Sequence, residues 1–187
     1  MRIVSGLYKG KKIDFPRGEQ TRPTKDRIRE AIFNILSHAS WCEIDIEESH
    51  VIDVFAGSGS LGFEALSRGA IDCIFIDSDY EAENCCINNA ESMHVSSKCK
   101  VIREDIRSIK YRPENIIKRN LVFLDPPYSQ DLGINALKEL YSRDWLDEEA
   151  IIVLEMSKKH PEHIDNEYIL LEERNYGITK VCFLKHR

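Results

Sequence analysis

The chain has 187 residues, of which 42% are hydrophobic, enough for one domain with a core that needs no disulfide staples. Its six cysteines (42, 73, 85, 86, 99 and 182) show no C-x-x-C and no partnered histidine spacing. That argues against a zinc site or a disulfide framework, predicts no metal, and fits reduced thiols in a cytoplasmic protein. Net charge is −6, yet residues 1–40 hold nine Lys or Arg against four acids, a local +5, so a basic arm sits on an acidic body.

In chain order, "RIVSGLYKGKKIDF" predicts two short strands around a turn at Ser5 to Gly10. After Pro23, Thr24 is expected to cap a helix whose apolar residues, Ile28, Ala31, Ile32, Ile35 and Leu36, fall on one face. Lys25, Arg27 and Arg29 lie off that face and are expected to be available to a partner. The start "MRIVSGLYKGKK" lacks the apolar stretch of a signal peptide, and no run approaches membrane-spanning length, so no membrane association is expected.

From residue 51 strands and helices alternate. "HVIDVF" predicts a first strand, "SLGFEALSR" a helix closed by Gly69, and "DCIFID" a second strand; Ser78 and Glu81 offer a capping box for a helix to about Met93. "KCKVIRE", "NLVFLD" and "AIIVLEM" are further strands, with a helix over "DLGINALKELYS" between the last two. Near-continuous apolar strands separated by helical patterns imply a parallel sheet covered on both faces. "EYILLEERNYGITKVCFLKH" departs from this and predicts an antiparallel hairpin turning at Asn175 to Gly177. The whole is read as one domain: a basic hairpin-and-helix extension over 1–40 and a Rossmann-like α/β core over 50–187.

Two stretches carry chemistry. In "DVFAGSGSLG", Gly57, Gly59 and Gly62 have G-x-G-x-x-G spacing between the first strand and its helix, with Phe55 and Ser58 in the same loop, where a ligand can approach backbone. Asp77, twenty residues after Gly57, ends the second strand where a carboxylate binds ribose hydroxyls, and Asp105 follows the third strand in reach of an adenine amino group. An adenosine-type cofactor is implied. NAD and S-adenosylmethionine are both open on the glycine spacing; Asp53, four residues before Gly57, favours the ligand with a cationic methionine end over one with a pyrophosphate.

The second stretch is "LVFLDPPY". Each proline fixes its own φ and pushes the preceding residue into an extended conformation, so Asp125, Pro126 and Pro127 form a stiff ledge. It presents a carboxylate, carbonyls and the ring of Tyr128, a set that suits a planar group carrying an NH2.

A glycine loop, a ribose acid and "DPPY" after a strand resemble the enzymes that methylate exocyclic nitrogens of nucleobases. "RIVSGLYKGKKI", "TRPTKDRIREAIFNIL", "DVFAGSGSLGFEALSRGA" and "FLDPPY", in that order, are similar to the RsmD family of 16S rRNA guanine-N2 methyltransferases. The resemblance implies a seven-stranded methyltransferase fold, S-adenosylmethionine as cofactor, and one guanine of bacterial small-subunit rRNA as substrate, methylated during assembly. Under this reading Asp125 and the Pro126 carbonyl hold the amine and Tyr128 stacks on the base. Arg22 and Thr24 are expected near the methionine end of the cofactor, and Lys9, Lys11, Lys12, Arg22, Lys25, Arg27 and Arg29 on RNA phosphates. A monomer is expected, acting on an assembly particle. The rivals are a DNA adenine-N6 methyltransferase, which "DPPY" also serves, an NAD-dependent oxidoreductase, and a silent RNA-binding assembly factor.

Overall fold

The computed structural model describes residues 1–16, 23–127 and 132–187, without the side chains of Pro23 and Thr24. Arg22 and Tyr128 lie outside the described residues, as does the side chain of Thr24.

Apolar runs of five to six residues become strands because both of their faces are covered. β1 (His50–Val54), β2 (Asp72–Asp77), β3 (Cys99–Arg103), β4 (Arg119–Leu124) and β5 (Leu146–Ser157) are parallel, while β6 (Tyr168–Tyr176) and β7 (Thr179–His186) are antiparallel. The seven-stranded order is β3-β2-β1-β4-β5-β7-β6, so the C-terminal hairpin inserts its second strand against β5 and leaves β6 at the edge. The helices are α1 (Pro23–His38), α2 (Ser60–Ser67), α3 (Tyr80–Ser92) and α4 (Leu132–Ser142).

Alternation along each strand divides the core in two. Val51, Phe75, Leu121, Phe123, Val153 and Phe183 point to one face, where Ile32 and Phe33 of α1, Phe63 of α2 and Ala90 of α3 cover them. Ile52, Ile74, Val122, Leu124, Ile152 and Leu184 point to the other, under Ile134, Leu137 and Leu140 of α4. Burial of this apolar area, at about 25 cal/mol per Å2, is the main term holding the layers together. None of the helices among the described residues is long and apolar enough to cross a membrane.

Three local expectations are corrected. The N-terminal segment forms a turn closed by a single Arg2–Lys12 bridge, with Ile3 N–H donating to Lys11 O and Gly10 N–H to Ile3 O, and not two full strands. Its backbone polar groups bond instead to α2: Val4 and Ser5 N–H donate to the Glu64 carboxylate, and Leu7 and Tyr8 N–H to the carbonyl and hydroxyl of Ser67. Helix α1 begins at Pro23, the position where a missing N–H costs nothing, so Thr24 is inside the first turn and is not the cap. Helix α3 is capped by Asp79, whose side chain accepts from Glu81 N–H, and not by Ser78; Asp79 has the extended backbone a cap requires.

Candidate functional site

The strand order reverses between β1 and β4, and a crevice at the carboxyl ends of strands is expected at such a switch point. A cavity of about 840 Å3 lies there. Phe55, Gly57, Ser58, Asp77 and Asp105 line one end; Lys25, Asp125, Pro126 and Pro127 line the other. Met1 and Phe15, which bracket the basic turn, and Tyr176 to Thr179 of the β6–β7 turn complete its walls.

The glycine loop is held by close packing. At Gly62 a Cβ would fall 2.6 Å from Cys73 Sγ and into the Phe75 ring, so only glycine lets α2 lie this near β2. At Gly59, where φ is +75°, a Cβ would strike the rings of Phe63 and Phe75. Phe55 also takes a positive φ, 59°, which costs a side-chain-bearing residue energy and concentrates at ligand sites.

Asp77 accepts from Gly57 N–H at 2.9 Å and, through its other oxygen, from Asp79 N–H at 3.0 Å. A carboxylate has about four lone-pair positions, so after these two bonds it still has acceptor capacity for a diol. Asp105 caps a short 3-10 turn, takes the Arg107 N–H at 3.0 Å, and pairs with the Arg107 guanidinium. Those bonds lower its pKa to about 2, so it stays ionised.

Asp53 is placed differently from a cavity residue. It is buried beneath the loop, accepts from Gly62 N–H at 2.9 Å, and does not line the cavity; neither does Gly59. Burial pushes its pKa up to about 8, against the opposing Gly62 bond and with help from the charges of Asp125 and Asp77. The position and bond of this carboxyl make it an anchor of the glycine loop, set beneath the cavity wall and not on it.

On the ledge, Asp125 is half-buried and Lys25 Nζ approaches it at 3.3 Å. The stiff Pro126 is buried behind it and Pro127 is exposed. The basic residues divide. Lys9, Lys11, Lys12 and Arg27 are exposed and form no ion pair among the described residues. Arg29, expected on the open face of α1, is 2% exposed: it donates to Arg2 O at 2.7 Å and to Asp26 at 3.2 Å, and its Nε is 3.5 Å from the fully buried Glu64. It is a structural cation because the N-terminal segment folds over it, and its assignment to RNA is withdrawn.

Two contributors had a signal in the sequence that went unread. Asn89 falls on the buried stripe of α3, where its amide donates to Ser58 O at 3.0 Å and Asp14 O at 3.1 Å, tying the glycine loop to the N-terminal segment. A polar residue at core spacing marked it. Glu155 closes the apolar run of β5 as Asp77 and Asp125 close theirs, and is 7% exposed.

A glycine loop after β1, an acid ending β2 and an acid-proline ledge after β4, all at one crevice, define the Rossmann-like methyltransferase class. The solved structure of yhhF from Escherichia coli, a candidate methyltransferase, superposes with TM-score 0.82 at 29% identity, covering 100% of this chain and 98% of that one. Ribosomal RNA small subunit methyltransferase D from Haemophilus influenzae is 36% identical over 96% of this chain and 90% of its own length; the Escherichia coli protein of that name is 33% identical over 83% and 74%. The family described as Conserved hypothetical protein 95 matches residues 1–185. The chain belongs to this family, the RsmD family anticipated from its motifs.

Proposed function

We propose that the chain is an S-adenosylmethionine-dependent methyltransferase that methylates N2 of one guanine in small-subunit rRNA. The observation that carries this reading is that the Asp77–glycine-loop end and the Asp125–Pro126 ledge open into one cavity. The residues fit the cofactor: Asp77 has spare acceptor sites for ribose hydroxyls, Asp105 is an ionised acceptor at the same end, and the volume is that of a small-molecule site. S-adenosylmethionine, when bound, supplies an electrophilic methyl group on a sulfonium.

Guanine N2 is a weak nucleophile because its lone pair is delocalised into the ring. Asp125 and the Pro126 carbonyl accept its two N–H bonds, which draws the nitrogen towards tetrahedral geometry and frees the lone pair for in-line attack. Asp125 is placed to take the proton released. Because the ledge is stiffened by two prolines, its acceptors are already oriented before the base arrives, and positioning with preorganised acceptors supplies the rate. Tyr128 is assigned to stacking on the extruded base by the sequence motif, a contact worth about 1–3 kcal/mol. Lys9, Lys11, Lys12 and Arg27 bind phosphates and set register without reading sequence. The enzyme acts as a monomer, in the cytoplasm, on rRNA within a small-subunit assembly particle.

Calorimetry and product analysis test this. S-adenosylmethionine binds the isolated protein and NAD does not, and Asp77→Ala weakens binding about tenfold or more through the lost ribose contact. Tritiated methyl transfer to rRNA, protein-bound rRNA and DNA, followed by nucleoside analysis, yields N2-methylguanosine from the rRNA samples. Tight NAD binding, or N6-methyladenosine as product, gives the case to a rival.

A further inference from the structure

The loop leaving β5 carries Lys158, Lys159 and His160 in a row, all exposed, on a body that is otherwise acidic. The other lysines beyond β4 are ion-paired: Lys138 with Asp165, Lys180 with Glu173 and Lys185 with Glu149. Lys158 and Lys159 form no ion pair among the described residues, so two adjacent ammonium groups stand in solvent.

Hydrogen bonds fix where this loop runs. Ser157, the last residue of β5, pairs with Thr179; Lys158 N–H donates to Ile178 O at 2.8 Å, and Lys159 N–H to Ser157 Oγ at 3.2 Å. Four residues beyond Lys158, the Glu162 carboxylate accepts from Gly133 N–H at 3.0 Å and Ile134 N–H at 2.8 Å, in the first turn of α4. Both moorings adjoin the cavity wall: Ile178 and Thr179 at one, Leu132 at the other. Four residues span at most about 14 Å, so the loop is drawn along the rim between the β6–β7 turn and the helix that follows the ledge. The N-terminal segment and α1 cover one sheet face and α4 the other, which puts this loop across the ledge from the basic arm.

The turn beside it is a two-residue hairpin: Tyr176 pairs with Thr179, Gly177 has φ +60°, and Ile178 stands at the tip. Ile178 is 55% exposed although it lines the cavity. Two cations next to an exposed apolar side chain are complementary to a single nucleic-acid strand, which carries anions along its backbone and flat apolar faces on its bases. We propose that this rim is a second RNA-binding element. Lys158 and Lys159 hold phosphates of the strand on the far side of the target nucleotide from the basic arm, and Ile178 packs against the base next to the target. With the strand gripped on both sides of the ledge, the nucleotide between the grips is the one turned into the cavity. This rests on the rRNA-methyltransferase reading above.

The test uses the intact protein and the RNA that accepts methyl in the transfer assay, bound over a salt series. Replacing Lys158 and Lys159 together with alanine lowers the slope of log K against log salt by about 0.7 for each lost phosphate contact, about 1.4 for the pair. KM for RNA rises while kcat and cofactor affinity hold, since neither lysine touches a reacting atom. Replacing both with arginine restores the slope, because the charge is what the phosphates require. Lys98→Ala with Lys100→Ala removes the same charge at the amino end of β3, away from the cavity, and leaves the slope as in the wild type. Ile178→Ser weakens binding about tenfold with no change of slope, the effect of a lost apolar contact, and Ile178→Val does not. An unchanged slope in the Lys158 and Lys159 double variant, an equal fall in the Lys98 and Lys100 control, or full affinity in Ile178→Ser overturns the proposal. So does weakening confined to protein-bound rRNA with naked rRNA bound as before, which gives the rim to a protein partner. A protein that methylates no RNA fails the parent reading and this one with it; a protein that methylates rRNA and gives any of those results fails this inference alone.

Discussion

The carboxyl groups at and beneath the two ends of the cavity are held by different means. At the glycine-loop end, Asp53, Asp77 and Asp105 accept backbone N–H groups from Gly62, Gly57, Asp79 and Arg107, all within twenty residues. At the ledge end, Asp125 meets the ammonium of Lys25, one hundred residues away in sequence, and Glu155 is placed by the register of β5. A backbone amide in a packed loop cannot be withdrawn, whereas a lysine on a four-carbon stem can swing to a phosphate. The first end is prebuilt for a ligand of fixed shape. The second is closed by a contact that an incoming base can replace.

Removing the ledge carboxylate breaks this comparison most sharply. Asp125→Ala is expected to lower turnover by about 10²–10³-fold, the usual cost of one preorganised group at a reacting atom, while leaving cofactor affinity nearly unchanged. Single-turnover methyl transfer beside calorimetry measures both, and a parallel loss of cofactor binding would show that the two ends are not separable. Asp125→Asn is also impaired, since an amide presents a single acceptor oxygen.

A smaller effect tests the loop end. Asp53 has a folded-state pKa of about 8 against an ordinary value of 3.8, so the folded protein holds this proton more tightly than the unfolded chain. Its contribution to stability is complete below about pH 4 and is lost as pH rises through about 8. Melting temperature should therefore fall between pH 5 and pH 8 in the wild type. Asp53→Asn, which keeps an acceptor for Gly62 N–H and cannot ionise, should show a shallower fall; Glu155 titrates in the same direction and leaves a residual slope. Identical slopes would mean that Asp53 is ionised under the loop.

The smallest expected change sharpens the contrast between residues that serve the fold and residues that serve the ligand. Lys9, Lys11 and Lys12 are exposed, whereas the turn carrying them is fastened through backbone bonds to Glu64 and Ser67. Replacing all three with alanine should reduce the slope of log K against log salt for RNA by roughly 0.7–0.9 per lost phosphate contact. Stability should move by only about 0.5 kcal/mol, and cofactor affinity not at all. Filter binding over a salt series with a melting curve checks this, and an unchanged slope would place RNA elsewhere on the surface.

What could be read from the sequence was what depends on local pattern. Apolar runs of strand length, helical spacing at Ile28, Ile32 and Leu36, and the glycines at 57, 59 and 62 state their structure within a few residues, because period and backbone freedom are local properties. The stiffness of Asp125 and Pro126 is likewise carried by the prolines themselves. What only the tertiary structure decided was what lies on top of each side chain. Arg29 is off the apolar stripe of α1 by spacing, yet it is buried because residues 1–5 cross it and Glu64 reaches it from α2. Asp53 and Asp125 are both acids near the ends of apolar strands; one is buried beneath a loop, which pushes its pKa up, and the other opens on a cavity, a difference of burial that no spacing reports. Ser78 and Asp79 both carry capping oxygens, and the backbone path out of β2 chose between them. The insertion of β7 between β5 and β6 is of the same kind: a hairpin can dock by either strand, and the choice belongs to the sheet edge that receives it.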